Sequence, residues 1–298
     1  MTTILAAAAT AVAVLLAGNL PWAGFGGISG LGAWNLRVGA SVPWAIVPMA
    51  ICLFAYWQFI GGNWGSSSSR AGRRANLRAN RLPPAVWGAS LTAGLVGFAA
   101  LLAFLALMAR LVSLPSSTPI TTPPEVPLVT GFLLLVMASI VAGVTEEAAF
   151  RGYMQSMIER NYGVTVAILA NGTLFGLLHF GNHPRDVLLM LPYYIAVSAV
   201  YGGLTWATDS ILPALVLHCA GDVVVLTRWW LTGRPEWQVA ATPPSRVWDG
   251  GLDAPFVLAT IATIALAALT VQAYGAVRKM RVASIEAAPP VRENTSTA

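Results

Sequence analysis

Long apolar stretches recur along the whole chain, separated by short breaks rich in Gly, Pro, Ser and Arg. A membrane-crossing helix needs about 20 mostly apolar residues. Runs of that kind occupy roughly 3–18, 42–60, 86–109, 128–147, 164–180, 187–207, 210–231 and 256–277. The pattern predicts an all-α fold, a polytopic transmembrane helical bundle of about eight spans. The first run lacks a basic leader, so it reads as a retained helix rather than a cleaved signal peptide. Between the second and third runs lies "GSSSSRAGRRANLRANR", with five arginines and no acid, which the positive-inside rule places in the cytoplasm. Counting outward puts both termini in the cytoplasm, with "SLPSSTPITTPPEVP" and the Pro/Trp-rich residues 232–255 outside. The polar tail after 281 is expected to be disordered.

Three regions follow. Residues 1–127 hold the N-terminal spans and the basic cytoplasmic loop 61–85. Residues 128–232 hold a core, and 233–298 hold an extracytoplasmic loop, the last span and the tail.

Composition sharpens this picture. The chain is 56% hydrophobic and 10% charged, where a soluble domain carries about 25% charged residues. The net charge of +5 does not argue for nucleic acid, because the arginines cluster in loops between apolar runs. Cys52 and Cys219 both fall inside apolar runs, so no disulfide framework is expected.

Against that background, ionisable groups inside the apolar runs stand out, because each is costly at membrane depth. "TEEAAFRGY" places Glu146, Glu147 and Arg151 directly after "GFLLLVMASIVAG". Nothing in it breaks a helix, and "NYG" at 161–163 supplies the first stop. The next run should then return antiparallel. Glu146 lies 16 residues before position 162 and His179 lies 17 after it, which makes them level to within about 2 Å. Neighbours on a helix point about 100° apart, so the two glutamates take different jobs. Glu147 pairs with Arg151 at i,i+4, as in an interfacial ion pair. Glu146 remains free to face the bundle as a general base toward water.

Asn171, Phe175 and His179 make one stripe on the returning helix, where a histidine also serves as a helix–helix hydrogen-bonding group. His179 and His183 show metal-pair spacing, but Gly181 and Pro184 make a helix there doubtful. His218 and Asp222 share a face of the seventh run, where Asp222 can hold the imidazole in one tautomer or both can bind metal or water. Cys219 points elsewhere and reads as packing. Acid, histidine, histidine and acid on three spans describe a hydrolytic or proton-handling site.

These residues resemble a known family. "EEAAFR" (146–151), "FGLLH" (175–179) and "HCAGD" (218–222) look like the E-E-x-x-x-R, F-x-x-x-H and H-x-x-x-N/D signatures of the CPBP family. That family groups type II CAAX prenyl endopeptidases with bacteriocin-processing and self-immunity proteins, and is also called Abi. The resemblance covers about residues 128–232. It implies an intramembrane endopeptidase in which Glu146 and His179 activate water, while His218 and Asp222 stabilise the oxyanion or complete the site. The family has been described both as metalloproteases and as metal-free glutamate proteases. Glu146, His179, His218 and Asp222 are therefore also a candidate zinc set. Asp222 stands where the prenyl-processing branch has asparagine. An ionised aspartate cannot donate to an oxyanion, which favours a metal-ligand or histidine-orienting role.

The expected function is hydrolysis of a peptide bond in a membrane-associated protein or peptide, with the lipid bilayer as the other partner and no nucleic acid. The rival readings are a non-proteolytic scaffold or immunity protein of the same fold and a proton-coupled transporter. The absence of any sign of an inverted repeat weighs against the transporter.

Overall fold

The computed structural model describes residues 2–115, 126–179, 186–238, 240 and 244–287. The described chain is helical throughout. Its elements are α1 (Thr2–Asn19), a 3-10 turn (Leu20–Phe25), α2 (Ile28–Gly39), α3 (Ile46–Ile60), α4 (Ser67–Leu77), α5 (Pro84–Leu111) and α6 (Leu128–Glu146). They continue with a π-helical stretch (Glu147–Met154), α7 (Gln155–Leu178), α8 (Val187–Thr208), α9 (Leu212–Thr232), the short α10 (Val247–Gly250) and α11 (Ala254–Glu286).

Six helical segments are long and apolar enough to cross a membrane, and α3 is a shorter apolar helix. One of the six, Leu128–Leu178, is 51 residues long and contains two of the sequence-predicted runs. Gly163 divides it, with φ 80° and ψ 170° in the middle of α7. That positive φ suits glycine and lets the chain reverse. The rings of Phe150 and Phe175 lie 5.1 Å apart, on either side of the reversal. The antiparallel pair inferred from the spacing of Glu146 and His179 is thus present.

Three local expectations need correction. The arginine-rich segment is a helix, α4, with its arginines mostly exposed and Leu77 buried against Tyr153 and Ile211. Residues 28–39 form α2, which the apolar-run count passed over because it is only 12 residues long. Past 281, α11 continues to Glu286, and residues 288–298 lie outside the described residues.

Close helix contacts occur where side chains are smallest, as in other membrane bundles. A Cβ on Gly143 would sit 2.6 Å from Cys219 Sγ, so glycine lets α9 press against α6 beside His218. Both cysteines are free, and Cys219 packs as expected. A Cβ on Gly172 would sit 2.6 Å from Ile195 Cα, which seats the second leg of α7 on α8.

Polar groups gather at the two ends. Arg78 pairs with Glu159 at 3.2 Å and with Asp209 at 3.6 Å, and Arg281 pairs with Asp209 at 2.7 Å. The two basic clusters, on α4 and at the end of α11, therefore lie at the same end of the bundle. At the other end Arg110 pairs with Asp253 at 2.7 Å, and Trp248 Nε1 donates to the Leu111 carbonyl at 2.8 Å.

Candidate active site

The site begins where α6 widens into the π-helical stretch, at the boundary between Glu146 and Glu147. Such widening is uncommon and often falls at functional positions. Here it corrects the expectation of an uninterrupted α-helix through "TEEAAFRGY". Glu147 and Arg151 are both fully buried, with Oε1 and Nη1 3.0 Å apart. The guanidinium lies 5.1 Å from the ring centres of Phe175 and of Tyr201, and its Nη2 is 3.4 Å from Ser198 Oγ. The charge is therefore held by an acid, two aromatic faces and a hydroxyl.

Glu147 has a second partner. Its Oε1 lies 2.7 Å from Nδ1 of His218 on α9. A carboxylate only accepts, so Nδ1 carries the hydrogen and Nε2 is left to the cavity. Glu146 Oε2 and Asp222 Oδ2 each lie 3.7 Å from that Nε2. The imidazole is stacked on Tyr201 at 4.7 Å and 15°. Two expectations change. The adjacent glutamates do point apart, yet each meets a different nitrogen of one ring. The group that fixes the imidazole through Nδ1 is Glu147, while Asp222 sits on the Nε2 side.

His179 caps the C-terminal end of α7, where its Nδ1 donates to the Phe175 carbonyl at 2.8 Å. Its ring packs on Phe175 and Tyr194, with centres 4.5 and 4.8 Å away. His179, Glu146, His218 and Asp222 all line one cavity of about 430 Å³. Within it Glu146 makes its ion-pair contact with His218, and no direct hydrogen bond or ion pair joins it to His179 among the described residues. Glu147 and Arg151 lie behind the wall rather than on it. Asn171 is buried in the stripe below Phe175, and His183 lies outside the described residues.

The remaining wall is largely apolar, built mainly from α5, α8 and α9, with Leu102, Leu105, Val197 and Val224 among its members. One further acid lines it. Glu236 follows α9 in a loop that Arg228 ties back by donating to the carbonyls of Pro235, Glu236 and Gln238 at 2.5, 3.2 and 3.2 Å. Trp237 Nε1 fastens the same loop to the Pro115 carbonyl at 2.7 Å. Sequence reasoning read this segment as an extracytoplasmic loop and gave it no part in the site. An acid between Pro235 and Trp237 was the one available signal, and nothing local says that the loop folds inward.

Burial, together with the Asp222 and Glu146 charges and against the pull of His179 and His218, pushes the Glu236 carboxyl up to about 7. A carboxyl held above its unfolded value binds its proton more tightly in the fold. Stability is therefore lower above pH 7 than below the ordinary carboxylate range. Glu236→Gln should then raise the unfolding temperature at pH 8 and leave it unchanged at pH 4. Thermal unfolding at the two pH values checks this, and an equal effect at both would reject it.

Among the described residues, no three His, Cys, Asp or Glu side chains converge as a metal shell. The zinc set Glu146, His179, His218 and Asp222 is thus not assembled as ligands, and no step below runs through a metal.

Taken together, fold and site define an α-helical integral membrane protein with a polar site enclosed in its bundle. Residues 128–224 match the family model described as Type II CAAX prenyl endopeptidase Rce1-like, consistent with the CPBP resemblance of the three motifs. The match runs from the start of α6 into α9 and spans about a third of the chain. Neither a curated protein nor a solved structure matches the chain significantly.

Proposed function

We propose that the protein is an intramembrane endopeptidase, similar to type II CAAX proteases, that hydrolyses a peptide bond in a membrane-associated protein or peptide. The observation that carries this reading is the convergence of Glu146, His179, His218 and Asp222, from three separate helical segments, on one largely apolar cavity. Glu146 takes a proton from water as the water oxygen attacks the scissile carbonyl. His179, with Nδ1 committed to Phe175, turns Nε2 to the same water as its acceptor. His218, when it carries a hydrogen on Nε2, donates to the developing oxyanion, and Glu147 on Nδ1 fixes the ring for that task. Asp222, 3.7 Å from Nε2, adds a negative charge on that side of the ring. Collapse of the tetrahedral intermediate breaks the C–N bond, and the proton held by Glu146 passes to the leaving amine. The basic end of the bundle faces the cytoplasm in this reading, with both termini on that side.

The test uses the full chain in lipid nanodiscs with membrane-anchored peptides, some prenylated and some not. Cleavage is expected, and a strong chelator is expected to leave its rate unchanged. Loss of activity to chelator with recovery on adding zinc would replace the glutamate–water mechanism with a metal one. No cleavage of any peptide would favour the scaffold or immunity reading.

A further inference from the structure

Three acids stand on the largely apolar cavity wall. Glu146 enters it from the end of α6, Asp222 from α9 and Glu236 from the loop behind α9, while the described lining residues include no lysine or arginine. The arginines of the adjoining walls are already committed, Arg151 to Glu147 and Arg228 to the loop carbonyls. Of these three, Glu236 is the acid whose carboxylate has no partner among the described residues. Only its backbone carbonyl is engaged, and its carboxylate makes no hydrogen bond or ion pair with a described residue.

We propose that Glu236, with Asp222 on the neighbouring wall, forms a cation-recognition subsite, so that the peptide substrate presents a lysine or arginine side chain beside the bond to be cut. This rests on the proteolytic reading above and names its substrate class. The remaining wall suits such a side chain, because Leu102, Leu105 and Val224 offer apolar surface to its methylene stem. A peptide ending in a free carboxylate fits poorly, since its charge would enter among three acids with no lysine or arginine among the described lining residues to meet it. The groups facing Glu236 are Glu146 from α6, His179 from α7, Tyr193 and Tyr194 from α8, and His218 and Asp222 from α9. The elevated proton affinity of Glu236 is what an enclosed acid shows when no cation is present. An incoming ammonium or guanidinium would hold it ionised.

The loop is built to hold this acid in place. Three hydrogen bonds from Arg228 and one from Trp237 fix the backbone on both sides of Glu236. A side chain placed by a tied loop supplies a recognition charge with little reorganisation on binding.

Membrane-anchored peptides identical except for lysine, norleucine or glutamate beside the cut site test the proposal with the full chain in nanodiscs. The lysine peptide is expected to exceed norleucine by about tenfold in kcat/KM, with glutamate the poorest. Glu236→Gln should bring lysine within about twofold of norleucine, read as the ratio of the two rates on one preparation. Equal rates for lysine and norleucine in the wild type, or a lysine preference that survives Glu236→Gln, would overturn the subsite. If the wild type cuts none of them, the proteolytic reading fails, and binding of the same peptides decides the subsite separately. Tighter binding of the lysine peptide that Glu236→Gln abolishes would retain the subsite in a non-proteolytic protein, and equal binding would reject it.

Discussion

Replacing Glu146 with glutamine should lower kcat by about 10²- to 10⁴-fold, the range over which a positioned general base contributes, with the fold retained. The side chain keeps its size and its place at the end of α6, and loses only the ability to take a proton from water. Its structural commitments are light: one contact to His218 at 3.7 Å and a partly exposed carboxylate. Glu147→Gln differs in kind. Sequence spacing alone assigns Glu147 to Arg151 and forecasts mainly a folding defect. The 2.7 Å contact to His218 Nδ1 adds a second loss, because an amide can present its NH₂ to that nitrogen and turn the ring to the wrong tautomer. Glu147→Gln is therefore expected to lose both stability and activity, Glu146→Gln activity alone. Unfolding temperature and peptide cleavage measured on the same preparations separate the two. Retained activity in well-folded Glu146→Gln protein would remove Glu146 from the base role.

The features that sequence made legible are those governed by period and spacing. Apolar run length located the membrane segments, and residue distances from the break near 162 brought His179 into the same cavity as Glu146. The i,i+4 spacings of Glu147 with Arg151 and of His218 with Asp222 became contacts of 3.0 and 3.7 Å. What escaped depends on groups distant in the chain or on backbone geometry that has no residue signature. Ala148, Ala149 and Phe150 permit an α-helix equally well, so the π-helical widening is set by what surrounds them. Whether Glu147 or Asp222 meets Nδ1 of His218 depends on how deeply α9 presses on α6, which Gly143 and Cys219 decide. Glu236 joins the cavity only because Arg228 and Trp237 fold its loop inward, and a polar Pro/Trp-rich segment gives no such instruction. Arg78 shows the same limit. It looks like one more cytoplasmic charge, yet it ties α4 to Glu159 and to Asp209.

The largest loss of stability should come from Arg151→Met, at about 3–5 kcal/mol, the usual cost of removing one partner from a buried ion pair. Glu147 would lose its buried guanidinium partner in a bundle where solvent cannot reach it, since both side chains are fully buried. The methionine fills much of the volume and still touches the rings of Phe175 and Tyr201, so packing alone does not account for a loss of that size. Arg151→Lys should fall between wild type and Arg151→Met. It keeps the charge for Glu147 but lacks the planar guanidinium that lies over both rings while reaching Ser198. The double variant Glu147→Gln/Arg151→Met should be less destabilised than the sum of the two single variants, because neither charge is then stranded. Its activity should nevertheless stay low, since His218 has still lost the carboxylate on Nδ1. Equilibrium unfolding in mixed micelles checks the cycle. Additive losses, or an Arg151→Met protein within about 1 kcal/mol of wild type, would show that the Glu147–Arg151 pair does not stabilise the bundle.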